Sequence, residues 1–151
     1  MKALLRHWWP AAVWAAVIWI FSTETFSDQT TGSFLIPLLH RIFPGASAET
    51  LVFYHFLIRK CAHVGEYFLF SLLVLRGVRG EERGWRLPWG LAALTVVACY
   101  AALDEVHQAF VPTRGASPRD VLLDLAGAVL AQVLAWGRSG NSPREAGGSQ
   151  R

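Results

Sequence analysis

Four apolar runs divide the chain, and most of its charged residues collect between them. Met1 to Phe21 opens on basic Lys2 and Arg6 and then turns apolar; Cys61 to Leu75, Pro88 to Leu103 and Val121 to Trp136 follow. Runs of this length and apolarity read as membrane-spanning helices. A cleaved signal peptide also begins like the first run, but no small-x-small site follows Phe21, so a retained helix is the expectation.

The intervening stretches carry turn and cap chemistry. Thr23 to Ala46 is polar, is broken by Gly32, Pro37 and Pro44, and holds a short greasy segment, Phe34 to Phe43, suited to lying at the membrane interface. Ser47 is placed to cap a long helix running to about Arg76, with Glu49 in its first turn. Arg76 to Arg86 is a basic, glycine-rich loop. Pro112 to Gly115 reads as a turn, and Ser117-Pro118 as the cap and first position of the last helix. Gly127 and Ala131 have the small-xxx-small spacing that lets membrane helices approach closely.

Composition agrees with this pattern. Hydrophobic residues make up 53% of 151 positions, more than a soluble domain of this size can bury. The expected architecture is all-α: a four-helix transmembrane bundle over residues 1–136, a short interfacial amphipathic segment after the first helix, and a disordered polar tail over 137–151. A formal charge of +3 spread over scattered arginines argues against nucleic acid and for topology. The N-terminus, the Arg76 to Arg86 loop and the tail share one side and hold nine of the basic residues, which makes that side cytoplasmic. Trp8, Trp9, Trp85, Trp89 and Trp136 then form an aromatic belt there. Cys61 and Cys99 sit in apolar runs without ligand spacing and read as free, buried thiols.

With about 1.5 Å of rise per residue, Ser22, Arg59, His63, Asp104, Glu105, Asp120 and Asp124 fall in one layer in the outer half of the bilayer, with Glu66 nearer the midplane. Arg59, His63 and Glu66 lie on one face of one helix at i, i+4 and i+7; Asp104 and Gln108 are i, i+4, as are Asp120 and Asp124. Charges at that depth mark a site by default. Crowded carboxylates separate in pKa, which lets an acid and a base coexist. On this reading Asp104, Glu105, His63 and Glu66 are catalytic, while Arg59, Gln108, Arg114, Asp120 and Ser22 bind the substrate. Arg114, in a tight turn, suits a phosphate or carboxylate.

Other readings of the same residues stay open. Arg59 with Asp104 or Glu105 makes internal ion pairs that only fix helix register. His63-x-x-Glu66 with Asp104, Glu105 and His107 makes a metal shell, though the spacing matches neither HExxH nor a paired Glu-x-x-His site. Ser22 is a nucleophile or a helix cap, and Asp120 complements the helix dipole. No motif calls for a cofactor.

The motif Arg59-Lys60-x-x-His63-x-x-Glu66-Tyr67, followed by Asp104-Glu105-x-x-Gln108-x-Phe110-Val111-Pro112-x-Arg114 and Ser117-x-x-Asp120-Val121, resembles the VanZ family of small bacterial membrane proteins. Phe21-Ser22 at the end of the first run fits as well, so the resemblance covers Trp8 to about Leu134. It departs at Thr113, Asp124 and Thr23-Glu24. The resemblance implies a multi-pass protein of the bacterial cytoplasmic membrane and a link to teicoplanin resistance. The expected function is a membrane protein with a polar site open to the extracytoplasmic side that binds or acts on a lipid-linked or other anionic envelope precursor. Its alternatives are a non-enzymatic scaffold and a small transporter subunit.

Overall fold

The computed structural model describes residues 2–112 and 117–140, and no strand occurs among these residues. Five helices follow in order: α1 (Lys2–Phe21), α2 (Asp28–Ile42), α3 (Ala48–Arg79), α4 (Leu87–Ala109) and α5 (Pro118–Gly140), with a single 3₁₀ turn, Glu24–Phe26, between α1 and α2. Arg114 and the chain beyond Gly140 lie outside the described residues. The last helix runs on through Gly137, where the polar tail was expected to start.

α3 is the organiser, in contact with every other helix. Its start is the one expected: Ser47 Oγ accepts from the Thr50 amide at 3.2 Å, and Glu49 sits in the first turn. Gly80, at φ 61°, ends it in a conformation that L side chains rarely adopt. Thirty-two residues make a rod of about 48 Å, well beyond a hydrocarbon core of about 30 Å. The surplus at its N-terminal end is where α2 packs.

The expectation of a broken segment after α1 is corrected by α2, a continuous helix of 15 residues. Ser27 caps it through the Thr30 amide, and Pro37 is accommodated inside it. Gly32 faces α3, where an added Cβ would sit 3.4 Å from the His55 ring. Burial of that face against α3 outweighs the two helix breakers.

Among the described residues three helices, α3, α4 and α5, are long and apolar enough to cross a membrane. α1, which contains four tryptophans, Arg6 and His7, lies along the same bundle. It runs antiparallel to α3, with Trp8 packed on Gly77 and Trp14 Nε1 donating to the Glu66 carbonyl at 3.0 Å. Tyr100 on α4 donates to the Ala15 carbonyl at 2.6 Å, and Trp19 stacks on His107 with centroids 3.9 Å apart.

The core is built from small residues where helices cross and larger ones between. Ala93, Val97 and Ala101 form one buried face of α4; Tyr67, Phe70 and Val74 come from α3, and Ala128 and Ala131 from α5. At Gly127 the approach is closest: a Cβ there would lie 2.3 Å from the Val64 carbonyl oxygen. A polar seam crosses the same interface. Gln132 donates to Ser71 Oγ at 2.8 Å and accepts from Trp85 Nε1 at 2.9 Å. The opposite faces are apolar and exposed, as at Leu91, Leu103, Val106, Leu122, Val129 and Val133, which suits lipid as the surrounding solvent. Cys61 and Cys99 are free but lie on these outer faces, so the expectation of buried thiols does not hold. An apolar run surrounded by lipid has no need to hide its thiols.

Candidate functional site

At one end of the bundle, α3 turns its polar stripe toward the end of α1 and the start of α2. Arg59, His63 and Glu66 line a cavity of about 250 Å³ together with Ser22 from the end of α1 and Thr31 from α2. Phe21, Phe26, Leu35, Ile58 and Ala62 supply its apolar wall. Four of the residues singled out from sequence therefore meet in one place, at the i, i+4, i+7 spacing expected of them.

Arg59 is held from the α2 side. Its Nε is 3.2 Å from Asp28 Oδ1, and its Nη1 donates to the Phe26 carbonyl and to Thr31 Oγ1, each at 3.0 Å. The pairing of Arg59 with Asp104 or Glu105 is thus corrected: α2, being a continuous helix, places Asp28 over α3 and supplies the partner. Among the described residues Nη2 of Arg59 has no protein partner. His55, one turn earlier on α3, is buried and meets Thr31 Oγ1 at 3.2 Å.

His63 is held from the other side. Its Nδ1 lies 3.2 Å from Oδ1 of Asp124, whose side chain is 3% exposed. Facing a carboxylate, Nδ1 carries the proton and donates, which leaves Nε2 as the ring nitrogen able to accept. A carboxylate behind an imidazole fixes both its tautomer and its orientation.

Behind the cavity wall sits a second, buried group. Gln108 Nε2 donates to Asp104 Oδ2 at 2.9 Å and to Ser22 Oγ at 3.3 Å, tying α4 to the end of α1. All three residues are at most 5% exposed. The i, i+4 pair of Asp104 and Gln108 thus points inward as expected, but Asp104 supports the cavity from behind Ser22 and does not line it. Tyr67 Oη is buried beside the Asp104 carboxylate in the same group.

The remaining predicted residues pin the start of α5. Glu105 accepts from the Ser117 amide, and Lys60 on α3 pairs with Asp120 in the first turn of α5. Neither Glu105 nor Asp120 lines the cavity. Arg114, between these two anchors in sequence, is outside the described residues. Among the described residues no three His, Cys, Asp or Glu side chains come together to hold an ion. The shell of His63, Glu66, Asp104, Glu105 and His107 does not assemble, because His107 turns away to stack on Trp19 and Asp124 occupies Nδ1 of His63.

The family model for VanZ/LLP1 matches residues 8–138, a span that includes α2, α3 and α4 whole, most of α1 and α5, and every side chain of the cavity. The chain belongs to the VanZ/LLP1 family. No curated protein and no solved structure matches it. The VanZ/LLP1 match reaches into α1 as well as the three long apolar helices, so Ser22 and its bond to Gln108 fall inside the family region.

In this VanZ/LLP1 chain the sequence reading missed Asp28, Thr31 and His55, and it placed Asp124 in the polar layer and Tyr67 in the motif without giving either a role. A signal for His55 was present, since it extends the stripe to His55, Arg59, His63 and Glu66 along one face of α3. For Asp28 and Thr31 there was none, because their role depends on α2 folding back onto α3.

Proposed function

We propose that this VanZ-family membrane protein binds an amphipathic, anionic cell-envelope precursor in the cavity between α1, α2 and α3. The observation that carries the reading is the mixed lining: a polar set, Arg59, His63, Glu66, Ser22 and Thr31, together with an apolar set, Leu35, Ile58 and two phenylalanines. A ligand with a charged head and an acyl or prenyl chain matches both halves. Arg59, anchored by Asp28, offers its remaining Nη2 to an anionic head.

In the same proposal α1 is the fourth span, both termini are cytoplasmic and the cavity opens outward. Support comes from direction. α1 is antiparallel to α3, and α5 runs parallel to it through Lys60 with Asp120, His63 with Asp124 and Ser71 with Gln132. An up-and-down bundle with these pairings gathers Arg6, Arg76, Arg79, Arg86 and Arg138 at the end away from the cavity. If the precursor is a wall intermediate, tolerance of glycopeptides follows from its capture.

A second reading, chemistry on the bound precursor, is favoured by the pairing of His63 with Asp124. That pair is built as a proton acceptor at the cavity, and Ser22 is among the residues that line the same space. The scaffold reading draws on Glu105 and Asp120, both engaged in holding α5.

The test compares envelope lipids and wall precursors by mass spectrometry in cells lacking the protein, expressing it, or expressing Arg59→Gln or His63→Gln at equal membrane abundance. Wild type is expected to shift one class of anionic precursor and Arg59→Gln to lose the shift. Accumulation with His63→Gln alone marks chemistry after binding. A profile in which neither variant differs from wild type rejects the cavity as a site and leaves the scaffold.

A further inference from the structure

A second cavity, of about 410 Å³, lies at the opposite end of the bundle from the first, between the C-terminal turns of α3 and α5. Arg76 and Arg79 reach it from α3 and Arg138 from α5, over an apolar floor that includes Leu72, Leu75 and Ala135. Arginines in a last helical turn commonly complement the helix dipole and stay solvated. Three features set this group apart.

First, the acids of the adjoining loop are engaged elsewhere: Glu81 with Arg6 and His7, and Glu82 with Arg86 at 2.8 Å. Among the described residues Arg76 and Arg138 therefore have no carboxylate partner. Second, Arg79 is positioned through the loop, its Nη1 donating to the Gly84 carbonyl at 3.4 Å. Third, three guanidinium charges from two helices converge on one concavity. The two helix C-termini bring about half a negative charge each, so the three cations prevail and leave a net positive site.

From this geometry we infer a binding site for a phosphate group, walled by arginine and floored by leucine. Arginine forks match phosphate oxygens in pairs. The apolar floor, and the neighbouring Trp136 at 61% exposure, give the site the depth of a membrane interface. The chemistry fits the phosphate of an anionic membrane lipid, with its glycerol end over Leu72 and Leu75, and also a soluble phosphoester. This site is independent of the outer cavity, and its test does not involve that cavity.

The experiment uses the full chain purified in neutral detergent. Native mass spectrometry and thermal unfolding are recorded with phosphatidylglycerol, with phosphatidylcholine and, separately, with inorganic pyrophosphate. Wild type is expected to retain phosphatidylglycerol several-fold better than Arg76→Gln/Arg138→Gln, with phosphatidylcholine unaffected. Arg76→Lys/Arg138→Lys, which keeps the charge at the helix ends and safeguards folding, is expected to fall between them. Arg83→Gln, a loop cation outside the cavity, should match wild type. If pyrophosphate alone shows the arginine-dependent gain, the phosphate site stands with a soluble source. If neither anion separates wild type from the folded double variants, or Arg83→Gln weakens binding equally, the inference is overturned.

Discussion

Asp124 on α5 holds Nδ1 of His63 on α3 at 3.2 Å, across the most extensively packed helix pair in the bundle. One contact therefore joins helix packing to the lining of the cavity, and the two contributions can be separated. Asp124→Ala leaves a partly buried imidazole without its acceptor and is expected to cost about 1–3 kcal/mol in detergent unfolding. Asp124→Asn keeps a carbonyl acceptor at nearly the same position, so most of the stability should remain. If the pair handles protons, Asp124→Asn should still abolish the precursor shift seen by mass spectrometry. A variant that is stable and fully active assigns the pair to packing alone.

Gly127 and Gly137 lie on the same helix with opposite surroundings. A Cβ at Gly127 would meet the Val64 carbonyl at 2.3 Å, whereas nothing lies within 4 Å of one at Gly137. Backbone cannot yield as a side chain can, so Gly127→Ala is expected to push α5 off α3 at a cost of about 1–3 kcal/mol. Gly137→Ala should be neutral or stabilise by up to about 1 kcal/mol through helix propensity. Thermal unfolding of the two variants in one detergent checks the contrast; equal midpoints would refute the close approach.

Glu81 ties the α3–α4 loop to the start of α1 through His7, at 3.2 Å, and through Arg6. The His7 hydrogen bond, aided by the Arg6 charge, holds its carboxyl below the ordinary glutamate value of 4.5. A lowered carboxylate pKa contributes stability that is complete above the unfolded value and is lost as pH falls through the folded one. Wild type should therefore exceed Glu81→Gln modestly at pH 7, and the gap should close on acidification from about pH 4.5 downward. Because Glu81 is fully exposed, added salt should shrink the same gap. A gap that persists at pH 3 would mean that the ion pair is not its source.

Topology is tested with single cysteines in a background lacking Cys61 and Cys99. Ser33→Cys on α2 is expected to react with an impermeant maleimide added outside intact cells, and Ser139→Cys at the end of α5 only after permeabilisation. The reverse pattern would invert the bundle and place the α1/α2/α3 cavity in the cytoplasm.

Much of the helix plan is legible along the chain because it rests on local rules. Ser47 and Glu49 start α3, Pro118 starts α5, and the spacing of Arg59, His63 and Glu66 follows from helix pitch alone. The close contact at Gly127 was legible too, since only a missing side chain permits backbone to meet backbone. Choosing partners was not. Between Asp28, Asp104 and Glu105, nothing local tells Arg59 which to take, and the answer came from α2 lying back on α3 across Gly32 and His55. Likewise, Glu105 became an anchor for α5 and Asp104 a buried support for Ser22 because the turn of α4 decides which carboxylate faces which neighbour. Sequence by itself determined that charged groups would gather at one depth between apolar helices, since rise per residue is fixed. Only the tertiary structure decided which of them line a cavity and which hold the bundle together, since that depends on helix rotation and on contacts between residues far apart in the chain.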